Sequence, residues 1–310
     1  MAKQAPPQGI YVPAVVYFDS NEEIDTEGYK AHILRLARGG VTGILVQGSN
    51  GEAQHLSHLE RFTAIGITRK TLDENGFKDT LVIAGTGAQS TRETITLCEE
   101  AQEAGASHAL VLTPSTWAPA MSKANILTFH RTVADKSPIP IMIYNFPTVT
   151  AGQNLTSEVI AELAKHPNIV GTKLSCGDIG KAHRLCTTFP PSEFAVFPGK
   201  SDVMLPGLLC GSAGIIGALV NLAPKLHKKL YDAYRAGRVD EAKQIQEIFS
   251  HADAAVGTLG GIAGLKRAIS EHFGYGVPYV RGPLLLVSKD ALQSPAGDWI
   301  AKLVELEKAA

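Results

Sequence analysis

The sequence predicts an α/β protein, a (β/α)8 barrel followed by a C-terminal helical segment. Three observations carry this. Short apolar, β-branched runs alternate with helix-length stretches eight times before residue 237. The region they span, residues 8–237, is close to the typical ~250 residues of a barrel of this kind. No Gly-x-Gly-x-x-Gly turn follows the first run, which argues against a doubly wound open sheet.

Residues 10–18 read as the first strand. Asp25 is placed to cap a helix that runs to Leu36 and stops at Gly39-Gly40. The second strand, 43–46, leads into Gly48-Ser49-Asn50-Gly51-Glu52. Ser57-x-x-Glu60 is a capping box that opens a helix ending near Gly76, and Ser90-x-x-Glu93 repeats the pattern after the strand at 81–84. A strand at 109–112 precedes Thr113-Pro114, and a helix starts near Ser122. The strand at 139–144 ends at Tyr144-Asn145-Phe146-Pro147, and Thr156 caps the helix after it. The sixth strand, opened by Pro167-Asn168, carries Gly171-Thr172-Lys173. A helix at 178–187, strands at 194–197 and 214–217, and a helix begun by Pro224 complete the barrel over residues 8–237. Residues 238–310 change pattern to helices at 240–256, 262–272 and 299–308, a C-terminal helical segment with a turn at Gly282-Pro283.

Composition excludes several classes. A net charge of −1 leaves no basic footprint for nucleic acid. No stretch approaches the ~18 unbroken apolar residues of a membrane span, and residues 1–8 hold no apolar core of signal-peptide length. Cys98, Cys176, Cys186 and Cys210 are dispersed, which fits neither a zinc site nor a disulfide framework and suits a reducing, cytoplasmic setting. His55 and His58 flank a helix start and read as solvated rather than metal-bound.

In a barrel of this kind the loops after the strands build the active face. Lys173 is then either a lysine that snorkels to water or a buried amine that attacks a carbonyl and forms a Schiff base. Gly48-Ser49-Asn50-Gly51 is either an ordinary βα turn or a nest of amides and small polar groups for a carboxylate. Tyr144 is either packed or a proton carrier. Glu52 either ties loops together or is solvated.

The motifs Gly48-Ser49-Asn50-Gly51-Glu52, Tyr144-Asn145-Phe146-Pro147 and Gly171-Thr172-Lys173, at these distances, resemble the dihydrodipicolinate synthase/N-acetylneuraminate lyase family over nearly the whole chain. The resemblance implies a class I pyruvate-handling lyase, dimeric or tetrameric, that needs no metal and no organic cofactor. Lys173 would form the imine with pyruvate or another 2-oxo acid, and Tyr144 would shuttle protons. Ser49, Asn50 and Gly51 would hold the carboxylate, and Ile216 would line the pocket from the eighth strand. Two departures matter. Thr148-Val149-Thr150 stands where the lysine-pathway synthases carry a carboxylate-gripping arginine. Thr116 stands where they carry a relay tyrosine, so the relay would pass through other hydroxyls, Thr116 and Ser49 among them, and water. Ser175, which either binds substrate or caps a turn, resembles instead the 4-hydroxy-2-oxoglutarate and 2-keto-3-deoxy sugar acid aldolases. The expectation is retro-aldol cleavage of a 2-oxo-4-hydroxy acid. A synthase-like condensation with aspartate semialdehyde, or a non-catalytic 2-oxo-acid sensor, are the alternatives.

Overall fold

The computed structural model describes residues 4–310. Eight strands, β1 (Gly9–Pro13), β2 (Gly43–Val46), β3 (Leu81–Gly85), β4 (His108–Leu112), β5 (Ile141–Asn145), β6 (Ile169–Leu174), β7 (Ala195–Pro198) and β8 (Gly214–Ile216), pair in parallel in the order β7-β6-β5-β4-β3-β2-β1-β8. Ala213 N donates to Val196 O at 2.9 Å and draws β7 and β8 together, so the sheet curls into a (β/α)8 barrel. The connecting helices are α1 (Thr26–Arg38), α2 (His58–Glu74), α3 (Thr91–Glu103), α4 (Lys123–Lys136), α5 (Ser157–Leu163), α6 (Ile179–Thr188), α7 (Met204–Leu209) and α8 (Pro224–Arg235). Three more follow, α9 (Val239–Thr258), α10 (Ile262–Phe273) and α11 (Pro295–Ala309).

The helix starts follow their local chemistry. Asp25 accepts from Gly28 N at 2.9 Å, and Ser57 and Glu60 form the full reciprocal box. At α3 only half of the expected box forms. Ser90 accepts from Glu93 N, but the Glu93 carboxylate is drawn 2.7 Å from His58 Nε2 instead. His58 also meets Glu100, so it is a partnered histidine and not a merely solvated one.

The first strand is shorter than its apolar run. Ala14 N still donates to Leu45 O at 3.0 Å, but the buried residues 15–18 leave the ladder: Val15 N donates to Asn221 Oδ1 at 3.2 Å, and Phe18 bridges to Ile24 and Pro278. An apolar run records burial, and a buried loop with side-chain partners for its amides reads like a strand.

Two apolar layers result. Tyr11, Leu45, Ile83, Leu110, Met142 and Phe197 fill the barrel interior, while their strand neighbours, such as Ile44, Val46, Val111 and Ile143, pack outward on the helices. β6 breaks this alternation. Ile141 pairs with Ile169, but Met142 pairs with Gly171, so Val170 is an extra residue in the ladder. The bulge puts Thr172 opposite outward-facing Ile143 and Lys173 opposite inward-facing Tyr144. Gly171 is required beside it, since a Cβ there would lie 2.6 Å from Ala195 O.

Three histidines, His32, His130 and His227, are wholly buried in this framework, and His108 nearly so. Burial pushes His32 and His130 down to about 3 and His227 down to about 4, from an ordinary 6.5. They are neutral when folded and free to charge when unfolded. Their contribution is therefore complete above pH 6.5 and is lost as pH falls toward 3, at about 1.4 kcal/mol per pH unit for each proton taken up. His130 Nδ1 has no partner among the described residues, so His130→Leu is expected to lower the slope of unfolding free energy between pH 6 and pH 4 by about one proton. Urea titrations at pH 7, 6, 5 and 4 measure it; an unchanged slope would contradict this account.

Candidate active site at the carboxyl ends of the strands

A cavity of about 340 Å³ opens where β2 to β5 end, with Gln47, Ser49, Leu110, Leu112 and Tyr144 in its walls and Val149 at its rim. Tyr144 and Lys173 are ladder neighbours turned the same way by the bulge. The Lys173 amine lies 4.2 Å from the centre of the Tyr144 ring and is almost fully buried, so it faces a π-surface and not water. The snorkelling alternative therefore does not describe its position. The ring of Tyr144 is itself stacked on Phe146, with centroids 5.5 Å apart.

Ser175, two residues beyond Lys173, continues the inward face. Its Oγ lies 3.5 Å from the Tyr144 hydroxyl. Gly199 makes the room, since a Cβ at that position would sit 2.0 Å from Ser175 Oγ. Amine, phenol and hydroxyl thus form one cluster. Ile216 is buried at the end of β8 within the barrel-interior layer. Thr116 is not brought to this cluster: it is exposed, and its hydroxyl and amide both donate to Gln89 Oε1, at 2.9 and 2.8 Å.

The glycine-rich loop after β2 folds into a 3-10 turn, Ser49–Gly51. Gly51 N and Glu52 N bond back to Gly48 O and Ser49 O, at 3.0 and 3.1 Å, while the first amides of such a turn have no acceptor inside it. Ser49 faces the cavity, and Asn50 sits half-buried on the turn. Glu52 closes the loop in a left-handed conformation, φ +53°, unusual for a side chain of this kind. It is buried, and it pairs with the Lys266 ammonium while accepting from His55 Nδ1 and Arg281 N, each at 3.0 Å. Glu52 is therefore a tie between loops.

Lys266 and Arg281 escaped the sequence reading. Lys266 also donates to Tyr279 O at 2.8 Å, and burial pushes its amine down to about 8. Arg281 holds the Glu60 carboxylate and donates to His55 O at 2.6 Å. One local sign existed for Lys266: it falls on the Ile262, Ala263, Ile269 face of α10, where a lysine is out of place. Among the described residues no three of His, Cys, Asp and Glu come together to hold a metal ion. What the cluster offers is a shielded amine, a phenol, hydroxyls and an amide-rich turn.

A model of the dihydrodipicolinate synthetase family matches residues 6–298. A protein of Emericella nidulans named "Probable 4-hydroxy-2-oxoglutarate aldolase, mitochondrial" is 45% identical over 89% of each chain. An L-threo-3-deoxy-hexylosonate aldolase of Hypocrea jecorina is 40% identical over 99% of each. Among solved structures, a prophage protein of the dihydrodipicolinic acid synthase family from E. coli K12, in complex with pyruvate, superposes with a TM-score of 0.85 at 29% identity. The match covers 97% of this chain and 98% of that one.

The buried pair beneath the loop makes a separate prediction. Lys266→Met leaves the Glu52 carboxylate buried without its cation and is expected to cost about 3–5 kcal/mol. Glu52→Gln added to Lys266→Met is expected to recover part of that loss. Urea unfolding of the three proteins measures it, and a Lys266→Met protein as stable as the parent would mean the pair holds nothing.

Proposed function

The chain belongs to the dihydrodipicolinate synthetase family, and from that premise we propose that it is a pyruvate-dependent class I aldolase that cleaves a 2-oxo-4-hydroxy acid to pyruvate and an aldehyde. The observation that carries the reading is the buried Lys173 amine set against the Tyr144 ring at the carboxyl end of the barrel. In this reading Lys173 Nζ attacks the C2 carbonyl of the substrate. Tyr144 gives its phenolic proton to the carbinolamine hydroxyl, which leaves as water, and a protonated imine forms. The Tyr144 phenolate then takes the proton of the C4 hydroxyl, the C3–C4 bond breaks, and its electron pair enters the imine to give an enamine while the aldehyde departs. Protonation at C3 and hydrolysis of the imine release pyruvate and return Lys173 to the free amine.

The other residues have supporting roles. Ser49, Asn50 and the amides around Gly51 orient the C1 carboxylate. Ser175, 3.5 Å from the Tyr144 hydroxyl, is the nearest relay for its proton. Ile216 bounds the pyruvate half on its apolar side. Thr116, engaged with Gln89, has no part in the relay within one chain. Val149, at the rim, offers no charge to a second carboxylate, which disfavours the synthase-like condensation. The assembly in this reading is a homodimer or homotetramer. The four free cysteines agree with a reducing compartment, cytoplasmic in the reading adopted here.

Borohydride reduction in the presence of pyruvate, followed by peptide mass spectrometry, is expected to leave a reduced pyruvyl adduct on Lys173. Lys173→Ala is expected to lose both adduct and cleavage. Tyr144→Phe is expected to lower kcat by about 10²–10⁴-fold, the usual worth of a positioned acid–base group. Full cleavage by Lys173→Ala would overturn the proposal.

A further inference from the structure

We propose that Gln47 reads a hydroxyl on the aldehyde half of the substrate, and that this half is a neutral, hydroxyl-bearing chain and not one that ends in a second carboxylate. The inference rests on the aldolase reading above and narrows its substrate class.

Gln47 follows β2, whose residues alternate between Leu45 in the barrel interior and Ile44 and Val46 in the outer layer. The chain leaves the strand there in a left-handed conformation, φ +47°. Strained backbone of this sort concentrates at functional sites. Gln47 lines the same cavity as Ser49 and Tyr144 and is 1% exposed. Its Oε1 is buried with no hydrogen-bond partner among the described residues. A carboxamide sets a donor and an acceptor side by side. A hydroxyl, which both donates and accepts, satisfies it; a carboxylate only accepts and has no proton to give Oε1.

The charges around the cavity agree. Among the described residues no lysine or arginine lines it, Lys173 lying behind the Tyr144 ring that forms its wall, and its two ionisable wall residues other than Tyr144, Glu52 and His55, are hydrogen-bonded to each other. The nearby cations are committed elsewhere: Arg61 to the carbonyls of Ala53 and Gly85, Lys266 to Glu52, Arg281 to Glu60. The Ser49–Gly51 turn provides one cradle for one carboxylate. A second carboxylate would be desolvated with no cation to meet it. The rest of the wall is polar but uncharged: Gln54, Thr113, whose hydroxyl lies 3.4 Å from His130 Nε2, and Gln89 and Ser115, which bond to each other.

The test compares kcat/KM for cleavage of a 2-oxo-3-deoxy-hexonate with that for 4-hydroxy-2-oxoglutarate. The parent protein is expected to favour the sugar acid by about tenfold or more. Gln47→Met, of similar length but without hydrogen bonds, is expected to lower that preference by about tenfold, the scale of a lost neutral hydrogen-bond pair. If Gln47→Met does not fold, Gln47→Leu, also without hydrogen-bonding groups, carries the same comparison. Val149→Arg, which sets a cation at the rim, is expected to shift the ratio toward 4-hydroxy-2-oxoglutarate. A parent that favours 4-hydroxy-2-oxoglutarate, or a Gln47 variant with an unchanged ratio, would overturn the inference alone, provided borohydride still traps pyruvate on Lys173. No adduct in the parent would overturn the aldolase reading and this inference with it.

Discussion

One extra residue in one strand governs the direction of the amine. β-strand side chains alternate with a period of two, so inserting a residue reverses every face beyond it. Val170 is that residue. Continued from Ile169 and Val170 without a bulge, the alternation would send Thr172 into the barrel and Lys173 out among the helices. With it, Thr172 turns away and donates to Ile143 O at 3.1 Å, and Lys173 and Ser175 turn inward. The Gly171-Thr172-Lys173 motif then has a physical meaning at each position. Glycine fits where β7 comes too close for a side chain, threonine satisfies its hydroxyl on the outer face, and lysine reaches the centre.

The loop opposite that lysine is held from far away. Glu52 is 214 residues from Lys266 and 229 from Arg281, yet both converge on its carboxylate. A buried pair of this kind does not add much net stability over an apolar pair, but breaking one half is costly. Its consequence here is geometric. It keeps a non-glycine residue in a left-handed conformation and so keeps the preceding turn, with its first amides open, facing the cavity. The helices after α8 thus take part in shaping the mouth of the barrel. They also dock through Glu307, which accepts from Lys225 N and Leu226 N at the start of α8, at 3.1 and 2.9 Å.

The proposed chemistry rests on contrast within one small volume. A primary amine is placed, almost fully buried, on an aromatic face, the phenol of that ring meets a hydroxyl, and neighbouring cations are paired within the scaffold. An imine needs an amine free to attack and a proton carrier near it, not a field of surrounding charge. A wall of amides and hydroxyls selects among substrates by pairing with what they carry and by leaving buried groups unmet when they do not.

The sequence by itself determined the barrel, the order of its elements and the neighbourhood of the site. Those signals are local. Burial on both faces writes a continuous apolar run, a cap is written within four residues, and motifs at strand ends fall at one mouth once the topology is known. It could place Lys173, Tyr144 and the Gly48–Glu52 loop at that mouth without saying which way any side chain pointed. Only the tertiary structure decided the bulge at Val170, because register depends on the partner strand. It alone gave Glu93 to His58 and not to its own helix, ended the first strand at Pro13, and bound Thr116 to Gln89. It alone joined Glu52 to Lys266, since a buried charge chooses its partner from whatever distant segment the fold brings within reach, and no spacing along the chain records that choice.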